Sequence, residues 1–321
     1  MTPLQFERLY EAEWVELEGA LARASTASSR AISGARFTAL YRRTCGHLAI
    51  ARSRSYPAHL VERLEHITDQ AHQRIYQQRE LGWRWLVRTV AVDFPVAVRA
   101  HATYVMAATL LFLVPALIVG PLVFAQPELI LSVVDAETAS EFDEMYSTSA
   151  ESIGRVRTAD TDWMMFGHYI RNNIGVAFQC FAGGLFLGLG SIFFLAFNGA
   201  FGGAIAGYLT SRGLSSTFYS FIATHAAFEL TAIVLAGAAG LRIGHALLAP
   251  GRQTRRQSLI AASRQAVVLL YGVTAMLLVA AAVEAFWSSA RWLPNSAKYG
   301  VAVLCWSGVL TYLTFQGRRA R

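Results

Sequence analysis

Apolar residues recur at three- and four-residue steps over the first eighty positions and then merge into long runs almost free of charge. Phe6, Tyr10, Trp14, Leu17 and Leu21 form one stripe, and Leu60, Leu64, Ile67 and Ala71 form another. That period predicts amphipathic helices. Phe37, Leu40, Tyr41 and Leu48 predict a third helix between them, and the small polar stretch ASTASSRAISG (24–34) reads as a connection. With Glu, Arg and Gln on the opposite faces, residues 1 to about 82 read as a three-helix cytosolic domain.

From Leu81 the pattern changes to LGWRWLVRTVAVDFPVAVRAH, with Trp83, Leu86, Val87 and Val90 on one face and Arg84 and Arg88 on another. Tryptophan and arginine together favour a helix lying in the headgroup layer. The uncharged run 102–125 is long enough, at about 20 residues per crossing, to span a bilayer, with a kink expected at Pro115. Between Arg171 and Arg212 lie forty uncharged residues. As helix they reach roughly 60 Å, twice the roughly 30 Å hydrocarbon core. The chain therefore crosses twice there, turning near GLGS (188–191) or Asn198-Gly199, or crosses once and continues as a re-entrant half-helix. Further candidate spans are 216–248, 264–287 and 297–316.

Composition agrees with this pattern: 54% of residues are hydrophobic and only 15% charged, more apolar than a soluble domain of this length. The fold class expected is all-α, a polytopic membrane helix bundle of about six spans, or five plus a re-entrant half-helix, with an N-terminal cytosolic helical domain. The domains expected are 1–100, including the interfacial helix, and 101–321, the transmembrane domain with an acidic external loop at 127–165. The start of the chain lacks a basic segment followed by an apolar run, so no cleavable signal is expected and the first span serves as its own signal.

Charge sets the orientation. Residues 127–162 carry nine acids and two arginines, whereas fourteen arginines and ten acids precede the first span. The positive-inside rule places the N-terminus in the cytoplasm and the acidic loop outside. GRQTRR (251–256) and the tail GRRAR (317–321) also belong inside, while Arg291 and Lys298 tolerate the outside. An even number of crossings follows, and six satisfies every basic loop. The net charge of +7 does not indicate nucleic acid, because no basic block with interleaved aromatics accompanies it. Cys45, Cys180 and Cys305 are scattered without disulfide or CxxC spacing.

Small residues repeat at four-residue spacing: Gly184 and Gly188, then Gly199, Gly203 and Gly207, then Ala236, Gly240 and Gly244, with Gly237 beside them. Such stripes let helix backbones approach closely in lipid. They predict helix packing within the chain, or a homodimer. Asn198 reads as a helix break where an amide satisfies freed backbone groups, or as the end of a short span. Asn172 and Asn173, just after Arg171, read as a helix cap or as reaching toward a buried pair.

That pair is in THAAFEL (224–230), where His225 and Glu229 sit at i and i+4 on one face of an apolar helix. An ionisable residue there is a candidate functional site. Three readings compete: a hydrogen-bonded pin between helices, a proton- or ion-translocation site, and a metal or catalytic site. The last lacks ligands, since zinc needs at least three from the protein, and His168 and His245 lie toward the ends of apolar runs. HExxH, GxSxG, P-loop and Rossmann fingerprints are absent, and no cofactor is expected.

The combination NNIGVAF, GGLFLGLGS and FNGAFGGAIAGYL followed by THAAFELTAIVLAGAAGLRIGHALL resembles the stage II sporulation protein M family. Its pattern falls on Asn172, Asn173, Asn198, Gly199, His225, Glu229, Leu230, Gly237 and Gly240. Ala226 departs from it, standing where many relatives have glycine. The resemblance implies a polytopic inner-membrane protein without established enzymatic activity; its sporulation members are linked to a complex with peptidoglycan-degrading partners during engulfment. The long N-terminal region is similar to larger members from bacteria that do not sporulate. The function expected is an inner-membrane scaffold or assembly factor for envelope complexes, a homo-oligomer whose partners are the lipid bilayer and other envelope proteins. The alternative is a proton- or ion-coupled transporter using His225 and Glu229, and an intramembrane hydrolase is a third reading without a complete constellation.

Overall fold

A computed structural model of the protein describes residues 1–23, 33–76, 83–149, 153–154 and 161–318. The connection at 24–32, Leu81, the side chains of Trp83 and Arg84, part of the acidic loop and the tail beyond Arg318 lie outside the described residues. Every regular element among the described residues is helical. The chain divides into two compact units, Met1–Arg84 and Trp85–Arg321.

The first unit consists of α1 (Pro3–Arg23), α2 (Gly34–Ser53) and α3 (Ala58–Tyr76). The stripes read from the sequence meet in its core: Phe6, Trp14, Leu17, Leu40, Leu60, Leu64, Ile67 and Ala71 are buried, with Tyr10, Leu21, Phe37, Tyr41 and Leu48 packed against them. Ser33 begins α2 by accepting from the Arg36 amide at 3.3 Å, a side-chain N-cap. One polar pair lies in the core, where Trp14 Nε1 donates to His47 Nδ1 at 3.1 Å. Arg63 ties α3 to α1 through Glu18 at 3.0 Å, with Glu7 and Glu11 3.9 Å away.

The division falls within a short helix α4 (Trp83–Arg88), and the second unit continues with a π-helical turn (Thr89–Asp93) and α5 (Phe94–Ala100). Seven longer or loop helices follow: α6 (Ala102–Ala125), α7 (Ala136–Met145), α8 (Asp162–Ala182), α9 (Leu189–Ser211), α10 (Ser215–Leu248), α11 (Arg255–Val283) and α12 (Asn295–Phe315). Among the described residues, four stretches are long and apolar enough to cross a membrane: α6, α9, α10, and α11 together with its continuation to Ser288. α8 and α12 are each 21 residues long. α6 runs unbroken through Pro115 and Pro121. α10, 34 residues long, is the central helix and packs against α6, α8, α9, α11 and α12.

The forty-residue uncharged stretch breaks once. α8 stops at Ala182, a tight turn covers Gly183–Leu185, and α9 starts at Leu189 after Gly188, whose φ of +86° lies in the left-handed region that favours glycine. The alternative break at Asn198 is corrected: α9 continues through it, and Asn198 Nδ2 donates to the Phe194 carbonyl at 2.7 Å on its own helix. An i−4 bond of this kind satisfies the amide without interrupting the helix. The cap reading of Asn172 and Asn173 is corrected as well. Both lie in the body of α8, whose N-cap is Thr161, accepting from the Met164 amide at 3.2 Å.

The glycine stripes are filled within the chain. A Cβ on Gly199, Gly203 or Gly207 would meet the α6 backbone at Phe112, Ala116 and Gly120 respectively. Gly184 faces the Gly240 carbonyl, Gly188 lies against Gly244, and Gly237 receives the Leu195 side chain. The α8–α9 corner thus seats in a notch on α10, where Ser191 Oγ donates to the Cys180 carbonyl at 2.6 Å beside Gly240. In lipid, such contacts stabilise through dispersion rather than water release.

The described part of the acidic loop is folded. Asp135 caps α7 by accepting from the Thr138 amide at 2.8 Å, which holds its carboxyl below the usual carboxylate range. Tyr146 is buried against Phe218 and Phe221 of α10, and Asp143 pairs with Arg212 at 3.3 Å.

Candidate functional site

THAAFEL lies in the first half of α10, with Thr224 and His225 buried. The i and i+4 spacing brings His225 Nε2 to 3.9 Å from Glu229 Oε2, too long for a hydrogen bond. The other ring nitrogen, Nδ1, is 3.0 Å from Ser288 Oγ. Since a hydroxyl serves as either donor or acceptor, Ser288 fixes the plane of the imidazole and leaves Nε2 facing the glutamate.

Ser288 ends a π-helical turn, Glu284–Ser288, that extends α11. Such a turn rotates the following residues relative to an α-helix and often marks a functional position. Here it turns both Glu284 and Ser288 toward α10. Ligand atoms of His225, Glu229 and Glu284 all lie within 4.8 Å of one another. Glu284 is buried, and its Oε2 has no hydrogen-bond partner. Asn173 of α8 stands beside Glu284, is 2% exposed, and has an unpartnered Nδ2. Its Oδ1 accepts from Asn172 Nδ2 at 3.0 Å, while Asn172 itself is exposed.

Lys298, in the first turn of α12, closes the far side. It is fully buried, its Nζ donates to the Ser288 carbonyl at 2.7 Å, and its own carbonyl accepts from Thr224 Oγ1 at 3.3 Å. α10, α11 and α12 are thus cross-linked through Thr224, His225, Ser288 and Lys298. A buried polar group without such partners costs several kcal/mol, so these bonds stabilise the placement of the pair.

His225 and Glu229 also line a cavity of about 770 Å³. Its other walls are mostly apolar residues of α6, α9 and α10, with Phe142 and Tyr146 of the acidic loop.

The structure therefore brings Asn173 to the His225–Glu229 pair and leaves Asn172 and Asn198 occupied elsewhere. The residues missed from the sequence are Glu284, Ser288 and Lys298. Glu284 carries a legible signal, a lone acid in the run MLLVAAAVEAFW. Lys298 and Ser288 carry none, because a lysine near a span end ordinarily reaches water and a serine fits many environments.

No curated protein and no solved structure compared with the chain gave a match. Residues 4–77 match a family model described as a domain of unknown function (DUF8413), which covers the three-helix unit. Residues 108–289 match the model of stage II sporulation protein M. That match takes in His225, Glu229, Glu284 and Ser288 together with the α6–α9 and α8–α10 glycine contacts. Covering more than half of a chain whose helices are long and apolar enough for a bilayer, it makes this protein a membrane protein that belongs to the stage II sporulation protein M family.

Proposed function

We propose that this protein is a scaffold or assembly factor of the bacterial inner membrane, holding other envelope proteins through its two regions outside the helix bundle. The observation that carries this reading is that both regions are folded. The N-terminal unit has its own core, centred on Phe6, Trp14 and Leu64, and the acidic loop packs Ile130, Ala139 and Tyr146 onto α6, α9 and α10, with Tyr146 against Phe218 and Phe221. Six crossings, from α6, α8, α9, α10, α11 and α12, put the N- and C-termini in the cytoplasm and the acidic loop outside, in line with the distribution of arginine. In this reading the His225–Ser288–Lys298 linkage keeps the bundle rigid. Self-association, also part of the proposal, uses faces other than the glycine stripes, because those already hold α6 against α9 and the α8–α9 corner against α10.

A second reading, a proton- or ion-coupled transporter, is favoured by one observation: His225 and Glu229 border the cavity. Two measurements separate the readings. Cross-linking in intact cells followed by affinity purification is expected to recover a reproducible set of envelope proteins with wild type, and to lose it when residues 1–84 are removed. Reconstituted protein is expected to show no pH-dependent flux. A flux that disappears in folded His225→Ala and Glu229→Gln, with the recovered set unchanged by the deletion, overturns the scaffold reading. A cytoplasm-specific reporter fused after Arg321 that stays inactive removes the six-span topology.

A further inference from the structure

We propose that His225, Glu229 and Glu284 form a binding site for a divalent first-row transition metal, zinc foremost, within the helix core. This goes beyond the scaffold reading and does not depend on it. Glu284 supplies the third ligand that the sequence reading of the pair lacked.

The geometry first argues against a simple hydrogen-bonded cluster. Three donor atoms converge to within 4.8 Å, yet His225 Nε2 stands 3.9 Å from Glu229 Oε2, which is not a hydrogen bond. Glu284 Oε2 is without a partner although the residue is only 8% exposed. Lys298, the nearest amine, is spent on the Ser288 carbonyl at 2.7 Å, and among the described residues no cation pairs with Glu284. Two carboxylates in a low-dielectric core must either take up protons or gain a counter-charge, and a divalent ion supplies that charge in full.

The same geometry suits an ion. With metal–ligand bonds of about 2.0–2.2 Å, donor atoms in a tetrahedral site stand roughly 3.3–3.6 Å apart. Each of the three atoms reaches such an arrangement by a movement of about 1 Å or less, within the range of side-chain torsion. Nε2 faces the carboxylate while Nδ1 is held by Ser288 Oγ at 3.0 Å, the division of labour of a metal-bound histidine whose other nitrogen is fixed by an outer partner. Asn173 Nδ2, buried, unpartnered and beside Glu284, is placed to steady a ligating carboxylate in the same way. Three protein ligands leave a coordination position open. His225 and Glu229 border the 770 Å³ cavity, so two of the three ligands face open space.

The test uses the full chain in detergent with any affinity tag removed. Protein stripped with chelator and dialysed is offered Zn²⁺, washed, and its metal counted by mass spectrometry; Co²⁺ replaces Zn²⁺ in a parallel sample. The expected result is about one zinc per chain, with a cobalt spectrum in the visible characteristic of four or five coordination. Glu284→Gln and His225→Gln are expected to lower zinc retention at least tenfold. Ser288→Ala, a positioning residue, is expected to weaken the zinc Kd by about 10–100-fold. Wild type that retains no zinc, or retention unchanged in Glu284→Gln, overturns the proposal. Should the variants fail to fold, the wild-type cobalt spectrum decides, since a six-coordinate spectrum or none at all also overturns it.

Discussion

Replacing Gly203 and its neighbour Gly202 by alanine, one at a time, separates helix propensity from helix contact. Both lie in the interior of α9, where alanine is favoured over glycine by about 1 kcal/mol. A Cβ on Gly202 has no atom within 4 Å, so Gly202→Ala is expected to stabilise by about 0.5–1 kcal/mol. A Cβ on Gly203 would stand 2.5 Å from the Ala116 carbonyl oxygen and 2.8 Å from the Ala116 Cα, where ordinary contact is about 3.5 Å or more. Both atoms are α6 backbone, so the helices have to part by roughly 1 Å, which also loosens the contacts at Gly199 and Gly207. Overpacking of this kind costs about 1–3 kcal/mol. Since the propensity gain is common to both, the two variants are expected to differ by the overpacking cost, about 1–3 kcal/mol, or roughly 2–12 °C in Tm for a unit of this size. Thermal unfolding in one detergent, with both variants and wild type side by side, measures the gap. Equal shifts for the two substitutions, or a higher Tm for Gly203→Ala, would refute packing through this stripe.

Two further predictions concern the three-helix unit. Burial holds the His47 imidazole below its ordinary range, and the folded unit therefore binds fewer protons than the unfolded chain at mildly acidic pH. The His47 contribution to stability is complete above about pH 6.5 and falls as pH drops below that value, so protection factors in α1–α3, corrected for the intrinsic pH dependence of amide exchange, should be lower at pH 5 than at pH 7.5, and equal protection counts against the reasoning. Trp14, fully buried, is expected to cost about 3–5 kcal/mol when cut to alanine, comparable to the whole stability of a unit of some 80 residues. Arg63→Ala, at a partly exposed ion pair, should cost about 1 kcal/mol or less, and limited proteolysis that ranks the two the other way contradicts the core assignment.

The parts legible in the sequence are those written in periodicity. Phe6, Trp14, Leu60 and Leu64 pack as their spacing requires, because a helix buries whatever recurs on one face. Gly199, Gly203 and Gly207 meet α6 because little else permits backbones to approach so closely. What escaped was non-periodic and tertiary. Asn198-Gly199 resembles a turn in water, yet α9 absorbs it through one i−4 hydrogen bond. Asn172 and Asn173 look alike in the chain, but only the second points inward, a difference of 100° around α8. Glu284, Ser288 and Lys298 lie 55 to 74 residues downstream of their partners in THAAFEL, the first two on a π-helical turn that no simple period announces.

Lys298 is the sole lysine of the chain and is sealed in the first turn of α12. The folded protein therefore offers amine-reactive reagents no lysine side chain, and beyond the α-amino group such cross-linkers, dyes and acylating agents gain a second amine only when α12 comes away from Ser288. A single lysine thus becomes a built-in label for the seating of the last helix, silent in the native bundle and reactive once that corner opens.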